Sequence, residues 1–211
     1  MTQGRNGLGC VVIFAAGNFS STMDYPATFH NDILTVGSIN SNGSRSSFSG
    51  YGTKLDVVAP GNNIISTLPN NTTGSNSGTS MAAPHVAGVA ALVISKNPTF
   101  TRWQVVTAIE ATAQKLPTYY FTTVTGHDSS TWNNQVGYGL VDAYAAINHD
   151  GGIVQLFDWT LSSNLTVTGY MVETKNVTVN NQAKLTIISD KKTTLFQTLN
   201  VASNSKLEIR N

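Results

Sequence analysis

Three short runs, Cys10–Ala16, Ile33–Gly37 and Leu55–Ala59, are rich in β-branched residues and nearly all apolar. Unbroken apolarity over that length predicts parallel strands buried on both faces, since a half-exposed strand would alternate. The stretches between them are rich in Gly, Ser and Asn and read as turns. From Thr79 onward the pattern changes. Val86, Val89, Ala90, Leu92, Val93 and Ile94 leave no polar side to a helical segment, which predicts a buried helix. Thr79 and Ser80 are good N-cap residues, and Pro84 falls in or near the first turn, where a missing N–H costs little. Thr101-Arg102-Trp103-Gln104 is a capping box opening a second helix, with Val105, Val106, Ile109 and Ala113 spaced three and four residues apart. Residues 116–135 carry Pro, Gly, Asp and Asn and read as a surface loop, and Leu140–Ile147 reads as a last short helix. Strands and helices mixed in this way predict an α/β domain over residues 1–150.

The character changes after His149-Asp150-Gly151-Gly152. Apolar residues begin to alternate, which predicts an all-β extension over residues 151–211. Val177-Thr178-Val179-Asn180-Asn181-Gln182-Ala183-Lys184-Leu185-Thr186-Ile187 is echoed by Leu199-Asn200-Val201-Ala202-Ser203-Asn204-Ser205-Lys206-Leu207-Glu208-Ile209, at an offset of 22 residues. Each copy reads as strand, polar turn, strand. Such a period suits the stacked coils of a β-solenoid, where each coil buries its face only against its neighbours. In that arrangement Val179 meets Val201 and Leu185 meets Leu207, with the turns Asn180–Gln182 and Ala202–Asn204 along one edge. A β-sandwich is the competing arrangement for this module.

Composition narrows the partners. Only 11% of the 211 residues are charged and the formal net charge is +1, so no basic stripe exists to follow a phosphate backbone. No apolar run approaches the roughly 20 residues of a membrane-spanning helix. Arg5 followed by Leu8–Ala16 imitates a signal peptide, but the same residues already form the first predicted strand. A surface rich in Ser, Thr, Asn and Gly and poor in charge suits a secreted or cell-surface protein. The single cysteine, Cys10, lies in an apolar run and reads as a buried, inert thiol. Four scattered histidines and one cysteine give no zinc spacing. Asn70-Asn71-Thr72-Thr73 and Asn176-Val177-Thr178 match the glycosylation sequon, a pattern that arises freely in an Asn- and Thr-rich chain.

The chemistry sits at Ser80. A hydroxyl at the mouth of a helix lies beside unpaired backbone N–H groups and the positive end of the helix dipole, a setting that stabilises a nearby oxyanion. The same placement also describes a simple cap. The wider string decides between them. Gly78-Thr79-Ser80-Met81-Ala82-Ala83-Pro84-His85-Val86-Ala87-Gly88 resembles the nucleophile signature of the subtilisin-like serine proteases, the subtilases. Val11–Asn18 resembles the family's strand ending in the oxyanion-hole asparagine. Tyr25-Pro26-Ala27, Ile33–Ser38, Phe48–Gly52, Leu55–Gly61 and Gly137–Ala143 follow in the family's order, so the likeness covers residues 4–148.

The resemblance implies a subtilisin-like, mostly parallel sheet with flanking helices, present in part, and an endopeptidase that acts on polypeptides through an acyl-enzyme. It implies Ser80 as nucleophile, Asn18 as oxyanion donor, and Ala15, Ala16 and Gly17 as one wall of the substrate side-chain pocket. The opposite wall lies outside this chain. No cofactor is expected: Asp56 aligns with a weak cation site of some subtilases, but Lys54 replaces an acidic neighbour there. The family's tighter calcium site uses residues absent from this chain. The family's aspartate and histidine precede the serine, in Asp-Thr/Ser-Gly and His-Gly-Thr contexts that do not occur before Ser80. The only upstream histidine, His30, lies between Phe29 and Asn31, and His85 is structural in the family. This reads as the later half of a catalytic domain, inactive alone, with the N-terminal half missing. A non-catalytic, adhesin-like surface protein that keeps a subtilase shell is the alternative.

Overall fold

The structure is a computed structural model that describes residues 3–23, 25–157, 160–161, 164–169, 171–175, 177–179, 183–189, 194–196, 199–201 and 204–210. It separates into two compact units, Met1–Gly151 and Gly152–Asn211.

In the first unit, β1 (Val12–Ala15), β2 (Ile33–Ile39) and β3 (Val57–Pro60) form a parallel three-stranded sheet in that order. Val12 pairs with Ile33, and Val36 with Val57. Every residue of β2 is buried, as a strand covered on both faces demands. The polar residues on it are paired: Thr35 Oγ1 donates to Ala27 O and Ser38 Oγ bonds Ser46 Oγ. A hairpin of β4 (Ile64–Leu68) and β5 (Thr72–Asn76) links β3 to helix α1 (Thr79–Lys96). Helix α2 (Arg102–Ala111) starts at the predicted capping box, with both reciprocal bonds between Thr101 and Gln104 in place. The larger core joins Leu34, Val36 and Val57 to Val86, Val93, Val105 and Ile109. Ala16, Leu55, Val58, Leu116 and Val136 form a second cluster.

Five expectations need correction. The N-cap of α1 is Gly78, which has no side chain with which to cap it. Thr79 is already helical, and its hydroxyl is engaged across the domain (below). Pro84 lies past the first turn, so the Ser80 carbonyl loses its helical partner. The helix is also only half buried. Ala82, Val86, Val89, Ala90 and Val93 enter the core, whereas Pro84, Ala87, Gly88, Ala91 and Leu92 are exposed. Cys10 is exposed, its sulfur lying against Gly4 in the turn before β1. The last helix, α3, begins only at Ala143, because Leu140 exchanges backbone bonds with Gln114 and Val141 N donates to Val58 O; these hold the chain extended beside β3.

The segment 116–135 is not a plain loop. It contains an antiparallel hairpin of β6 (Thr122–Val124) and β7 (His127–Trp132), closed around Gly126 at φ +85°. Trp132 is buried in the main core, and its Nε1 donates to Leu55 O at 2.7 Å. His127 stacks on the Trp132 ring with centroids 4.1 Å apart. The hairpin is therefore anchored to the chain just before β3, and β7 packs against α2. α3 (Ala143–Ile147) closes the unit, capped by the Asp142 carboxylate on Ala145 N.

In the second unit the described strands are β8 (Ile153–Phe157), β9 (Thr160–Leu161), β10 (Leu165–Gly169), β11 (Met171–Lys175), β12 (Val177–Val179), β13 (Lys184–Ser189), β14 (Thr194–Phe196), β15 (Leu199–Val201) and β16 (Lys206–Arg210). They form three sheets, β8-β11-β14, β9-β12-β15 and β10-β13-β16, and every pairing is parallel. Val179 is in register with Val201 and Leu185 with Leu207. An earlier turn of chain precedes these two, with Thr160 beside Thr178 and Leu165 beside Leu185, offsets of 18 and 20 residues. Those unequal offsets hide it from a search at a fixed period of 22. Of the expected polar turns, residues 180–182 and 202–203 lie outside the described residues.

Trp132→Phe removes an indole N–H from a buried carbonyl and leaves a void. We expect a loss of about 2 kcal/mol in urea unfolding, with the secondary structure retained.

Candidate active site

β1 and α1 meet at the residues singled out from the sequence. Ala15 ends β1, and buried Ala16 continues the ladder by donating its N–H to Val36 O. Gly17 then turns the chain at φ +92°, and its carbonyl accepts from Gly50 N at 2.8 Å. Position 50 must lack a side chain, because a Cβ there would lie 2.2 Å from Ala16 O. The turn delivers Asn18, exposed, to the start of α1.

Thr79 joins the two elements. Its Oγ1 accepts from Gly17 N at 3.2 Å and donates to Asn18 Oδ1 at 2.9 Å, and its backbone N–H donates to the same Oδ1 at 2.9 Å. Two donors on Oδ1 fix which way the carboxamide faces and leave Nδ2 as the outward donor. A Cβ built on Gly78 would sit 3.4 Å from Asn18 Nδ2 and 3.7 Å from Ser80 N. Two N–H donors therefore border one small space, kept open because residue 78 has no side chain. Ser80, in the first turn of α1, is exposed beside it. Thr79 is the residue that sequence reasoning missed: it read as a cap, and only its place next to Ser80 marked it. Ala15, Ala16, Gly17, Asn18 and Ser80 are thus brought to one place. Phe19, 89% exposed, follows Asn18 directly.

The histidines are occupied elsewhere. His30 Nδ1 accepts from Asp32 N, which leaves its proton on Nε2 in the neutral ring. His85 Nδ1 bonds Met81 O one turn back along α1. His149 Nδ1 accepts from Gly151 N, and His127 is stacked on Trp132 in the hairpin. Asp56 is engaged within the domain. Asp56 Oδ2 accepts from Thr35 N at 2.6 Å, and burial, with Glu110 nearby, holds its carboxyl well above the usual range. The Lys54 ammonium donates to Asn31 Oδ1 close by. Among the described residues no group of three or more His, Cys, Asp or Glu could hold a metal ion.

The model of the Subtilase family matches residues 1–139. The chain belongs to the subtilase family. Subtilisin amylosacchariticus from Bacillus subtilis subsp. amylosacchariticus is 51% identical over 118 residues, which is 54% of this chain and 31% of the relative. Subtilisin BL from Lederbergia lenta is 45% identical over 139 residues, 65% of this chain and 46% of the relative. Among solved structures, a protease of Pseudoalteromonas arctica PAMC 21717 is similar with a TM-score of 0.56 and 31% identity, over 70% of this chain and 46% of the other. This subtilase chain spans less than half the length of each. No helix among the described residues is long and apolar enough to cross a membrane.

The raised Asp56 carboxyl sets a pH dependence. A group whose folded-state value lies above its ordinary value of 3.8 is most stabilising when protonated, so its contribution falls as pH rises from about 4 through the folded-state value. Asp56→Asn keeps an acceptor for Thr35 N and cannot ionise. Its stability relative to the wild type is expected to grow across that window and then level off. Urea unfolding from pH 4 to 8 reads this directly, and the opposite trend would refute it.

Proposed function

We propose that the chain is the serine-bearing part of a secreted or cell-surface serine endopeptidase that cleaves polypeptides. The observation that carries this reading is the pair of donors, Asn18 Nδ2 and Ser80 N, bordering the space left by the missing side chain of Gly78 in the turn that carries Ser80. In the proposed reaction Ser80 Oγ attacks the scissile carbonyl, and the carbonyl oxygen, now negative, takes hydrogen bonds from those two donors. Collapse expels the amine and leaves an acyl-enzyme, which water then hydrolyses. The Ala15–Gly17 segment lines one side of the pocket for the substrate side chain preceding the cut. The Ser80 proton needs a base and the base needs a carboxylate, and we assign both to residues outside this chain, in the N-terminal half of the domain. No metal is required at Asp56.

Unit 2 is proposed to be an all-β solenoid-like module, dispensable for chemistry and used in targeting or surface attachment. Its parallel pairing supports this, since a sandwich of antiparallel sheets would pair otherwise.

Two measurements test the protease reading. In a chimera where residues 4–148 replace the matching stretch of Subtilisin E, peptide hydrolysis is expected. Ser80→Ala should lower its turnover by about 10⁶-fold. Asn18→Ala should lower kcat by about 10²–10³-fold, the range known for such a donor in subtilisins, with little change in KM. A folded but inactive chimera would favour the non-catalytic, adhesin-like alternative. The 211-residue chain by itself should neither hydrolyse a chromogenic peptide nor be labelled by a fluorophosphonate. Ser80-dependent labelling of the lone chain would show that it already holds a base.

A further inference from the structure

The turn that carries Ser80 is also held from a second side, through the base of the β4–β5 hairpin. Gly78 N donates to Gly61 O at 2.8 Å, and Gly78 O accepts the first bond of α1, from Met81 N. The two backbones lie so close that a Cβ at Gly61 would sit 2.7 Å from Gly78 O and 2.5 Å from Ser38 Oγ. Ser77, one residue before Gly78, accepts from Asn63 N at 2.9 Å and donates to Asn62 Oδ1 at 2.7 Å. Asn62 Nδ2 in turn donates to Asn40 Oδ1 at 2.8 Å. Ser46 Oγ donates to the same oxygen at 3.2 Å, so the proton between it and Ser38 Oγ, 2.8 Å away, comes from Ser38. Ser38 and Ser46 are fully buried. Asn40 Nδ2 donates to Ser44 Oγ, which fixes the way that amide faces. Two lines of donors, one from the hairpin and one from the core strand β2, therefore end on a single carbonyl oxygen.

Resting on the protease reading above, we propose that Asn62 is a positioning residue for the reaction at Ser80. It acts through Ser77, not on the substrate. Bound to Ser77 on one side and Asn40 on the other, it fixes where Ser77-Gly78-Thr79-Ser80 leaves the hairpin. The need arises at Gly78, whose backbone is the least restrained point of that run. A hold on Thr79 alone, from Asn18 and Gly17, leaves the chain before it free to swing about Gly78. With Ser77 held as well, the glycine is clamped from both flanks, and Ser80 keeps one position relative to Asn18 Nδ2. Oxyanion donors act only at short range, so a shift of about 1 Å between them is costly. Asparagine suits the task because one short, flat group must accept from a hydroxyl and donate to a carbonyl. A flipped amide would set its oxygen against Asn40 Oδ1, which has no proton to give.

The first test is amide hydrogen exchange on the full 211-residue protein. Asn62→Leu should speed exchange over Ser77–Met81 about tenfold and leave α2 unchanged. The second uses the Subtilisin E chimera described above, at a temperature well below its unfolding midpoint. There Asn62→Leu and Ser77→Ala should each lower kcat for a peptide amide about tenfold, with KM unchanged. The double variant should be no slower than either alone, because both cut one link. Ser77→Thr keeps the hydroxyl at an exposed position and should retain the wild-type kcat. A peptide boronate, which forms a tetrahedral adduct at serine, should bind Asn62→Leu about tenfold more weakly, while a cleaved product peptide binds as before. A side chain that only stabilises the fold would lower the unfolding midpoint and leave kcat in place at that temperature. Unchanged exchange at Ser77–Met81, an unchanged kcat in an active chimera, or additive losses in the double variant overturns the proposal. Exchange that rises equally over α2 overturns it too, as a general loosening. An inactive chimera, with faster exchange confined to Ser77–Met81, removes the protease reading and leaves the hold on the turn standing.

Discussion

One threonine hydroxyl holds the candidate site together. Thr79 Oγ1 takes a hydrogen bond from Gly17 N and gives one to Asn18 Oδ1, while its own N–H reinforces the second contact. These bonds join the end of a strand to the beginning of a helix more than sixty positions along the chain. Without them Asn18 would be an exposed side chain free to rotate, and its amide could face either way. With them the carboxamide is held in one orientation, as the oxyanion role proposed for Asn18 would require. The N-cap position is Gly78 and offers no side chain, so the first N–H of α1 is satisfied from across the domain by Asn18 Oδ1.

The parallel sheet is the platform for this contact. β2 is buried along its full length, so its neighbours β1 and β3 have little freedom of register, and the residues just past β1 emerge at a fixed place. Gly17 and Gly50 let two backbones approach there without a side chain between them. The β6–β7 hairpin braces the far side, where Trp132 bonds the carbonyl of Leu55 just before β3.

Much of this was legible in the chain. The three apolar runs became the three parallel strands, and the capping box marked the start of α2 to the residue. Ser80, Asn18 and Ala15–Gly17 were singled out by motif, and in the structure Gly17 and Asn18 bond Thr79, the neighbour of Ser80. What could not be read was non-local. Nothing in a local window says that Thr79 bonds Asn18, or that Leu140 is held extended by Gln114 and β3. Trp132 looked like a loop residue because its burial partners lie far away in sequence. The half-exposed α1 escaped notice for a related reason: composition shows what a helix could bury, and only tertiary contacts show what is there to bury it. The earliest turn of chain in unit 2 was missed because its spacing differs from the later repeat by two to four residues.

As the solenoid-like module proposed above, with the parallel pairing of its described strands, unit 2 would have a size that is a matter of counting. Each further circuit of about twenty residues lays one more strand on each of three sheets, and neighbouring strands stand roughly 4.8 Å apart. Extension therefore proceeds in steps of about 5 Å along one axis, while the cross-section stays the same. A gain or loss of one whole circuit alters reach without disturbing the registers on either side. In that proposed arrangement the module would act as a graduated rod, whose length could be reset by duplicating or deleting a single stretch of gene.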